Sequence, residues 1–222
     1  MMKRKPPVIS LFSGVGGLDI GIALAGFDIR LQIDKDEACV KSLMLNKDKY
    51  WPSSNIVQGR VEDWPTQKIL EAAGLQKGEV ALVVGGPPCE PFSKSAFWSP
   101  KRWADGRRRR PAKNKSRSVE SFTGLNDPRA KLLGEFVRVV REVKPAGYIM
   151  ENVFGLAYKT SKVMLDALIE ELKKAGYTVT YKVLNAVYYG VPQKRERLFT
   201  VSYTHLRAHE TEADLVCRLL LE

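Results

Sequence analysis

The chain has 222 residues, of which 44% are hydrophobic, and carries a formal net charge of +11. This length suffices for one sizeable core with a small appendage. No run of about 18 apolar residues is present and the N-terminus lacks a signal-type apolar segment, so we predict neither a membrane-spanning helix nor secretion. The scattered Cys39, Cys89 and Cys217 exclude a disulfide scaffold and favour the cytoplasm. Because only His205 and His209 could join them as soft ligands, we also predict no metal site.

Short apolar runs alternate with amphipathic segments along most of the chain. The runs predict strands at 7–12, 29–33, 55–57, 80–84, 147–150, 179–184 and 198–201. The segments predict one helix that follows a glycine turn and ends at Gly26, and others at 36–46, 66–73, 129–143 and 161–175. In residues 94–126 the apolar residues do not recur at a regular spacing, so this segment is interpreted as a long loop. Strands that alternate with helices imply an α/β fold with a doubly wound, mostly parallel sheet.

Three chemically unusual stretches follow predicted strands. They are the glycine turn FSGVGG at 12–17, the proline-framed GGPPCEPFS at 85–93, and Glu151 at the start of ENV. Ligands of doubly wound sheets bind beyond the carboxyl ends of the strands. We therefore expect all three stretches to lie on one rim, although a purely structural tight turn would explain the glycines equally well.

Cys89 has three candidate roles, as a nucleophile, a metal ligand or a small buried residue. The prolines around it predict a stiff loop rather than a core position, and no partner ligands stand at metal-binding spacing. Nucleophilic attack requires the thiolate, which Lys94 and the basic segment 101–117 would favour. That segment has nine Lys or Arg residues against one acid, Asp105, which is typical of a solvated loop or of contact with a phosphate backbone.

Other polar residues at strand ends have two interpretations each. Gln32 and Asp34 end the second strand, where a polar side chain often binds a ribose hydroxyl, but Asp34 is equally suited to cap a helix. Glu151 is either a partly desolvated acid with a raised pKa or the partner of a helix N-cap. Arg195 and Arg197 share a face if QKRERLF is extended, or form a solvated edge.

Together and in this order, these motifs resemble the cytosine C5 DNA methyltransferase family. The matching stretches are LFSGVGGLDIGIALAGF, GGPPCEPFS, ENV and YYGVPQKRERLF, and the resemblance covers residues 6–201. It implies the Rossmann-like, doubly wound, mostly parallel sheet of enzymes that use S-adenosyl-L-methionine. Residues 1–201 would form the catalytic domain, with 94–126 as a basic extension of its catalytic loop.

The resemblance also implies roles for single residues. Cys89 would add to C6 of a flipped-out cytosine, Glu151 would bond the ring at N3 and the amino group, and Arg197, supported by Arg195, would fix the base. The methyl-donor site would comprise Phe12, Gly14, Gly16, Gly17, Gln32, Ile33 and Asp34, with Pro88 near the methyl group. Double-stranded DNA would contact Ser93, Lys101, Arg102, Arg107 and Arg108.

This sequence departs from the family pattern at several positions. Gln32 stands where the family has an acid that bonds the donor's ribose, and Arg60 stands where its third motif has an acid, for which Asp63 would substitute. Glu90 replaces the commoner glutamine. The family's target-recognition domain and last helix do not follow QKRERLF. Residues 202–222 instead resemble a tail that recurs on unrelated predicted proteins from fragmentary assemblies, so we interpret them as an artefactual, non-family segment.

The sequence therefore predicts a monomeric cytoplasmic DNA (cytosine-5)-methyltransferase, of the kind found in restriction-modification systems and associated with the nucleoid through its DNA. Two alternatives stay open, namely a non-catalytic nucleic-acid-binding remnant and a transfer RNA cytosine-5 methyltransferase. The target sequence is not predictable, because base readout would lie in the recognition domain.

Overall fold

The computed structural model describes residues 5–88, 130–157 and 162–204, and seven strands in these ranges form one sheet. The strands are β1 (Pro7–Leu11), β2 (Asp28–Asp34), β3 (Asn55–Gln58), β4 (Leu82–Gly85), β5 (Gly147–Val153), β6 (Tyr177–Asn185) and β7 (Glu196–Thr204). Their order is β3-β2-β1-β4-β5-β7-β6. The first five strands pair in parallel, whereas β7 runs antiparallel to both β5 and β6. The predicted α/β class with a mostly parallel sheet is confirmed.

Six α-helices of the described ranges cover the two faces of the sheet. They are α1 (Gly17–Leu24), α2 (Glu37–Leu45), α3 (Lys47–Tyr50), α4 (Thr66–Ala73), α5 (Lys131–Val143) and α6 (Lys162–Lys174). Helices α4, α5 and α6 pack on one face, in a core that includes Ile9, Leu31 and Tyr148. Ile22 of α1 and Leu43 of α2 pack with Trp51 on the other face. A predicted loop, 94–126, lies outside the described residues.

Helix α5 shows how the apolar pattern produces this packing. Its buried residues are Leu133, Phe136, Val137, Val139, Val140 and Val143, which recur at helical spacing and face the sheet. Full burial of one such side chain contributes about 1.5–3 kcal/mol before conformational entropy is counted. The helix ends at Val143, and the left-handed backbone of the capping residue Lys144 (φ 53°) turns the chain towards β5.

Small residues bring the central strands together. A Cβ atom on Gly85 would collide with the carbonyl oxygen of Leu11, and one on Gly147 would lie 2.7 Å from the carbonyl oxygen of Ser202. These two glycines therefore permit the close approach of β4 to β1 and of β5 to β7. Both contacts lie on the strands whose ends carry the candidate site.

Within the described ranges, no helix is both long and apolar enough to cross a membrane.

Candidate active site

The parallel strands β1, β4 and β5 end at one rim of the sheet. The glycine turn follows β1, and the segment that leads towards Cys89 follows β4. Glu151 lies near the C-terminal end of β5, where this strand pairs with β7. Because β7 is antiparallel to β5, it starts at this rim, and Arg197 pairs with Val153 there. The rim thus brings together the stretches that the sequence placed at strand ends.

Glu151 and Arg197 form an ion pair at this rim. Nε of Arg197 lies 2.8 Å from Oε1 of Glu151, and both side chains are about a quarter exposed, at 25% and 28%. Burial raises the pKa of Glu151 above its ordinary value, and the guanidinium groups of Arg197 and Arg195 partly oppose that rise. A carboxyl group with a raised pKa and a fixed cation can exchange a proton with a bound base.

Arg195 has a more distant part in this arrangement. Its backbone N–H donates to Oδ1 of Asn185 at 3.2 Å, which holds the β6–β7 connection, and its side chain is exposed. Its charge lowers the pKa of Glu151, but the ion pair with Glu151 is made by Arg197. The predicted support that Arg195 gives to Arg197 in fixing a base stays a prediction.

Asn152 ties the end of β5 to the chain segment before Cys89. Its buried Nδ2 donates to the carbonyl oxygen of Pro87 at 3.0 Å, and its Oδ1 accepts from the N–H of Val153 at 2.8 Å. Gly86 lies so close that a Cβ there would be 3.2 Å from Oε2 of Glu151. Two residues upstream of Cys89, the chain is thus fixed against the Glu151 strand.

Several predicted site residues lie outside the described ranges. They are the predicted nucleophile Cys89 and the predicted DNA contacts Ser93, Lys101, Arg102, Arg107 and Arg108. Pro88, the last described residue before them, is exposed, whereas Pro87 is buried.

The glycine turn has a backbone that few other residues would permit. Gly16 has a φ of 88°, and a Cβ on it would lie 2.8 Å from the Trp51 ring and 2.9 Å from Leu43. Phe12 also adopts a left-handed conformation (φ 53°), which costs of order 1 kcal/mol or more for a non-glycine residue. These left-handed backbone conformations turn the chain sharply at the end of β1.

Asp34 stabilises this turn from the end of β2. Its Oδ2 accepts from the N–H of Gly14 at 2.7 Å, and its Oδ1 accepts from the N–H of Asp36 at 2.9 Å. A Cβ on Gly14 or Gly17 would meet no atom within 4 Å, so space is open beside both glycines. Asp34 therefore shapes the turn, and the open side of the turn can receive a ligand.

Gln32 and Ile33 are both fully buried. Ile33 packs in the core between the sheet and helices α4 to α6, so no face of its side chain is open to an adenine in this form. Nε2 of Gln32 donates to Oδ2 of Asp19 at 2.6 Å, and its Oε1 is buried with no hydrogen-bond partner among the described residues. Of the three β2 residues predicted for the donor site, only Asp34 has exposed surface.

Asp19 is the residue that sequence reasoning missed. It is 1% exposed, lies in the first turn of α1, and accepts from the Ser10 hydroxyl at 2.7 Å as well as from Gln32. It shares the buried face of α1 with Ile22, three residues on, and this spacing was the available signal. Burial raises the pKa of Asp19 to about 6, although both hydrogen bonds act to lower it.

We expect Asp19→Asn to stabilise the protein above about pH 6. A carboxyl group whose native pKa exceeds its unfolded value of 3.8 contributes stability below about pH 4 that is lost as the pH rises through 6. The shift corresponds to at most roughly 3 kcal/mol at neutral pH. Asparagine can keep both hydrogen bonds, since Oδ1 accepts from Gln32 and Nδ2 can donate to the Ser10 oxygen.

Urea unfolding of wild type and Asp19→Asn between pH 4 and 8 measures this effect. The exposed Asp48→Asn is the control for the removal of a carboxylate from the surface of the protein. A stabilisation by Asp19→Asn that is the same at pH 4 and pH 8 would contradict the assignment.

The third motif of the family, here QGRVED at 58–63, also differs from the family pattern. The guanidinium of Arg60 donates to Oε1 of Glu62 at 2.8 Å, and Asp63 is exposed in the short 3₁₀ turn that follows. The acid Glu62 therefore pairs with the arginine that replaces the family's acid, and the substitution of that acid by Asp63 stays a prediction.

The residues present fit S-adenosyl-L-methionine, the methyl donor that the resemblance implies. Open space beside Gly14 and Gly17 and an N-terminus of α1 that no side chain caps would accept a ligand with a carboxylate. In contrast, the described part of the chain contains no group of three or more His, Cys, Asp or Glu residues that could hold a metal ion.

Comparison with known proteins agrees with this geometry. A sequence profile of the family described as C-5 cytosine-specific DNA methylase matches residues 7–108 and 116–215. The Type II methyltransferase M.SacI of Streptomyces achromogenes is 42% identical over 212 residues, which cover 90% of this chain and 48% of that protein. M.AquIA of Picosynechococcus is 40% identical over 208 residues, which cover 90% of this chain and 72% of that protein.

Solved structures show the same fold. A protein described as a DNA modification methyltransferase encoded within an E. coli prophage superposes with a TM-score of 0.66 at 25% identity, over 89% of this chain and 46% of that one. The S. pombe Dnmt2 methyltransferase superposes with a TM-score of 0.61 at 16% identity, over 96% and 54%. The chain spans about half the length of M.SacI and of both solved structures.

Proposed function

The chain belongs to the C-5 cytosine-specific DNA methylase family, and on that premise we propose that it supplies the catalytic part of a DNA (cytosine-5)-methyltransferase. Residues 1–201 are the proposed catalytic unit. The observation that carries the proposal is the Glu151–Arg197 pair at the rim, beside a segment that Asn152 holds two residues before Cys89. An acid, a cation and a thiol-bearing loop at one strand end suit a reaction on a bound base.

Each residue has a defined task in the proposed reaction. The Cys89 thiolate forms a bond to C6 of cytosine and breaks the π bond between C5 and C6, and the electron pair becomes available at C5. Glu151 gives a proton to N3, so that negative charge does not accumulate on the ring. Arg197 holds the Glu151 carboxylate in place and contacts the base. After C5 has accepted the methyl group, loss of its proton to water restores the double bond between C5 and C6 and expels the thiolate.

S-adenosyl-L-methionine supplies the methyl group that C5 accepts. Phe12, Gly14, Gly16, Gly17 and Asp34 are proposed to hold it at the glycine turn, with Pro88 near its methyl group. The base must leave the helix before Cys89 can reach it, at a cost of a few kcal/mol. We propose that Ser93 and the basic residues Lys101, Arg102, Arg107 and Arg108 offset this cost through contacts with the DNA backbone.

Trapping with 5-fluorocytosine tests the proposal. A fluorine at C5 cannot leave as a proton does, so the thioether to C6 persists after methyl transfer. The protein is incubated with methyl donor and double-stranded DNA that contains 5-fluorocytosine, and adducts are separated under denaturing conditions. We expect an adduct that peptide mapping places on Cys89.

Two other outcomes would overturn the proposal. If no adduct forms and calorimetry detects no binding of the methyl donor, the chain is a non-catalytic remnant. An adduct with transfer RNA that contains 5-fluorocytosine, but not with DNA, would assign the chain to RNA.

A further inference from the structure

The connection between β6 and β7, residues 186–195, carries large apolar side chains that the proposed reaction does not use. Tyr188 is 83% exposed, and Val187, Tyr189 and Val191 are each roughly half exposed. Single exposed apolar residues are common on protein surfaces. Four of them within five consecutive positions concentrate apolar surface in one place, which is typical of a binding site.

Hydrogen bonds within the connection fix its shape. Oδ1 of Asn185 accepts from the N–H groups of Val187 and Arg195, both at 3.2 Å. The N–H of Ala186 donates to the carbonyl oxygen of Arg195 at 3.0 Å, and the N–H of Val191 donates to that of Ala186 at 3.2 Å. A surface that is ordered before binding loses less conformational entropy when its partner arrives.

The same connection is basic. Lys194 and Arg195 are exposed, and no acid occurs among residues 186–195. Lysine is depleted at the centres of protein–protein interfaces. Surfaces that bind nucleic acid strands instead combine cations along the backbone with aromatic rings on which bases stack. The composition of the connection therefore favours nucleic acid over protein as the partner.

The connection lies at the rim that carries the proposed base site. β7 starts at Glu196, directly after the connection. Arg197, the next residue, pairs with Val153 of β5 on one side and with Leu184 of β6 on the other. The exposed tyrosines thus belong to the same edge of the sheet as the Glu151–Arg197 ion pair.

We propose that the β6–β7 connection is a stacking platform for an unstacked base of the bound DNA beside the flipped cytosine, with Tyr188 as the ring that the base contacts and Lys194 as a contact to its phosphate. The inference rests on the proposed function and extends it to a neighbouring nucleotide. Base flipping breaks stacking contacts, and a fixed aromatic ring at the rim replaces part of them. Because every base has a π face, this contact requires no particular sequence.

Fluorescence anisotropy with two labelled single strands tests the proposal. One strand is oligothymidylate, and the other has the same length but consists of abasic residues. Both carry the same phosphates, so the ratio of their dissociation constants isolates the contribution of the bases. We expect Tyr188→Leu, which keeps an apolar side chain without a ring, to lower the preference for oligothymidylate roughly 5- to 10-fold. Tyr188→Phe keeps the ring and should retain the wild-type preference.

Two further variants serve as controls. Tyr181 is also an exposed tyrosine, but it pairs with Thr200 of β7, which lies three residues from Arg197 and therefore on the opposite face of the sheet. Tyr181→Leu should leave the preference for oligothymidylate unchanged. Lys194→Gln should weaken the binding of both strands equally and lower the slope of log affinity against log salt concentration by about 0.7.

The outcomes separate this inference from the proposed function. A Tyr188→Leu variant that keeps the wild-type preference would overturn the inference and assign the apolar patch to a protein partner. Equal losses in Tyr188→Leu and Tyr181→Leu would also overturn it. In both cases the proposed function stands if the wild type still forms the adduct with 5-fluorocytosine DNA. A wild type that binds neither strand and forms no adduct would overturn both.

Discussion

Glu151→Gln should lower the rate of methyl transfer by roughly 10²- to 10⁴-fold, the range typical of a lost proton-transfer group. Glutamine has nearly the same shape and fits the space beside Gly86, where Oε2 now lies. It cannot supply a proton to N3, and it leaves Arg197 without its carboxylate. Since the proposed donor site lies at the ends of β1 and β2, we expect the dissociation constant of the methyl donor to stay near the wild-type value.

Single-turnover transfer of a labelled methyl group, together with calorimetry of donor binding, measures both quantities. Glu196→Gln is the matched control, because Glu196 is adjacent in sequence to Arg197, which contacts its backbone oxygen but not its carboxylate. A parallel loss of donor affinity in Glu151→Gln would indicate that the variant disturbs the whole rim. A rate within about threefold of wild type would remove Glu151 from the proposed chemistry.

The rim itself was predictable because its strands are strongly apolar. The apolar runs that include Val83 and Ile149 predict β4 and β5 directly. Parallel pairing of these two strands then places their carboxyl ends side by side. In contrast, the pairing of Arg197 with Glu151 depends on the antiparallel register of β7, between residues 46 positions apart. No local pattern fixes that register, and only the family resemblance placed both residues at the same base.

Buried polar contacts were the least predictable part of the site. Gln32 was expected to hydrogen-bond the donor's ribose, whereas the structure buries its side chain against Asp19. The sequence shows a charged residue at a helical position and says nothing about which strand lies beneath it. Cys89 and the basic loop, which lie outside the described residues, remain predictions from sequence.

Asn152→Ala should slow formation of the covalent adduct by about 10²-fold and leave donor affinity unchanged. The variant removes the donor to the Pro87 carbonyl, and an unsatisfied buried carbonyl destabilises the fold by about 1–3 kcal/mol. Only Pro88 separates Pro87 from Cys89, and a proline has a nearly fixed φ angle. A displacement at Pro87 is therefore transmitted to the thiol, and a misplacement of about 1 Å can cost 10²-fold in rate.

Rapid-quench kinetics of the adduct with 5-fluorocytosine DNA measure this effect, and urea unfolding measures the loss of stability. Tyr177→Phe is a matched control, because its buried hydroxyl also donates to a proline carbonyl, that of Pro145 at 2.9 Å. Pro145 precedes β5 at the opposite end of the strand from Glu151, so this variant should lose stability without a change in adduct rate. If both variants slow the adduct to the same degree, the rate follows global stability and Asn152 does not position the loop. A selective loss in Asn152→Ala would mean that the strand carrying Glu151 also fixes the distance between the acid and the thiol.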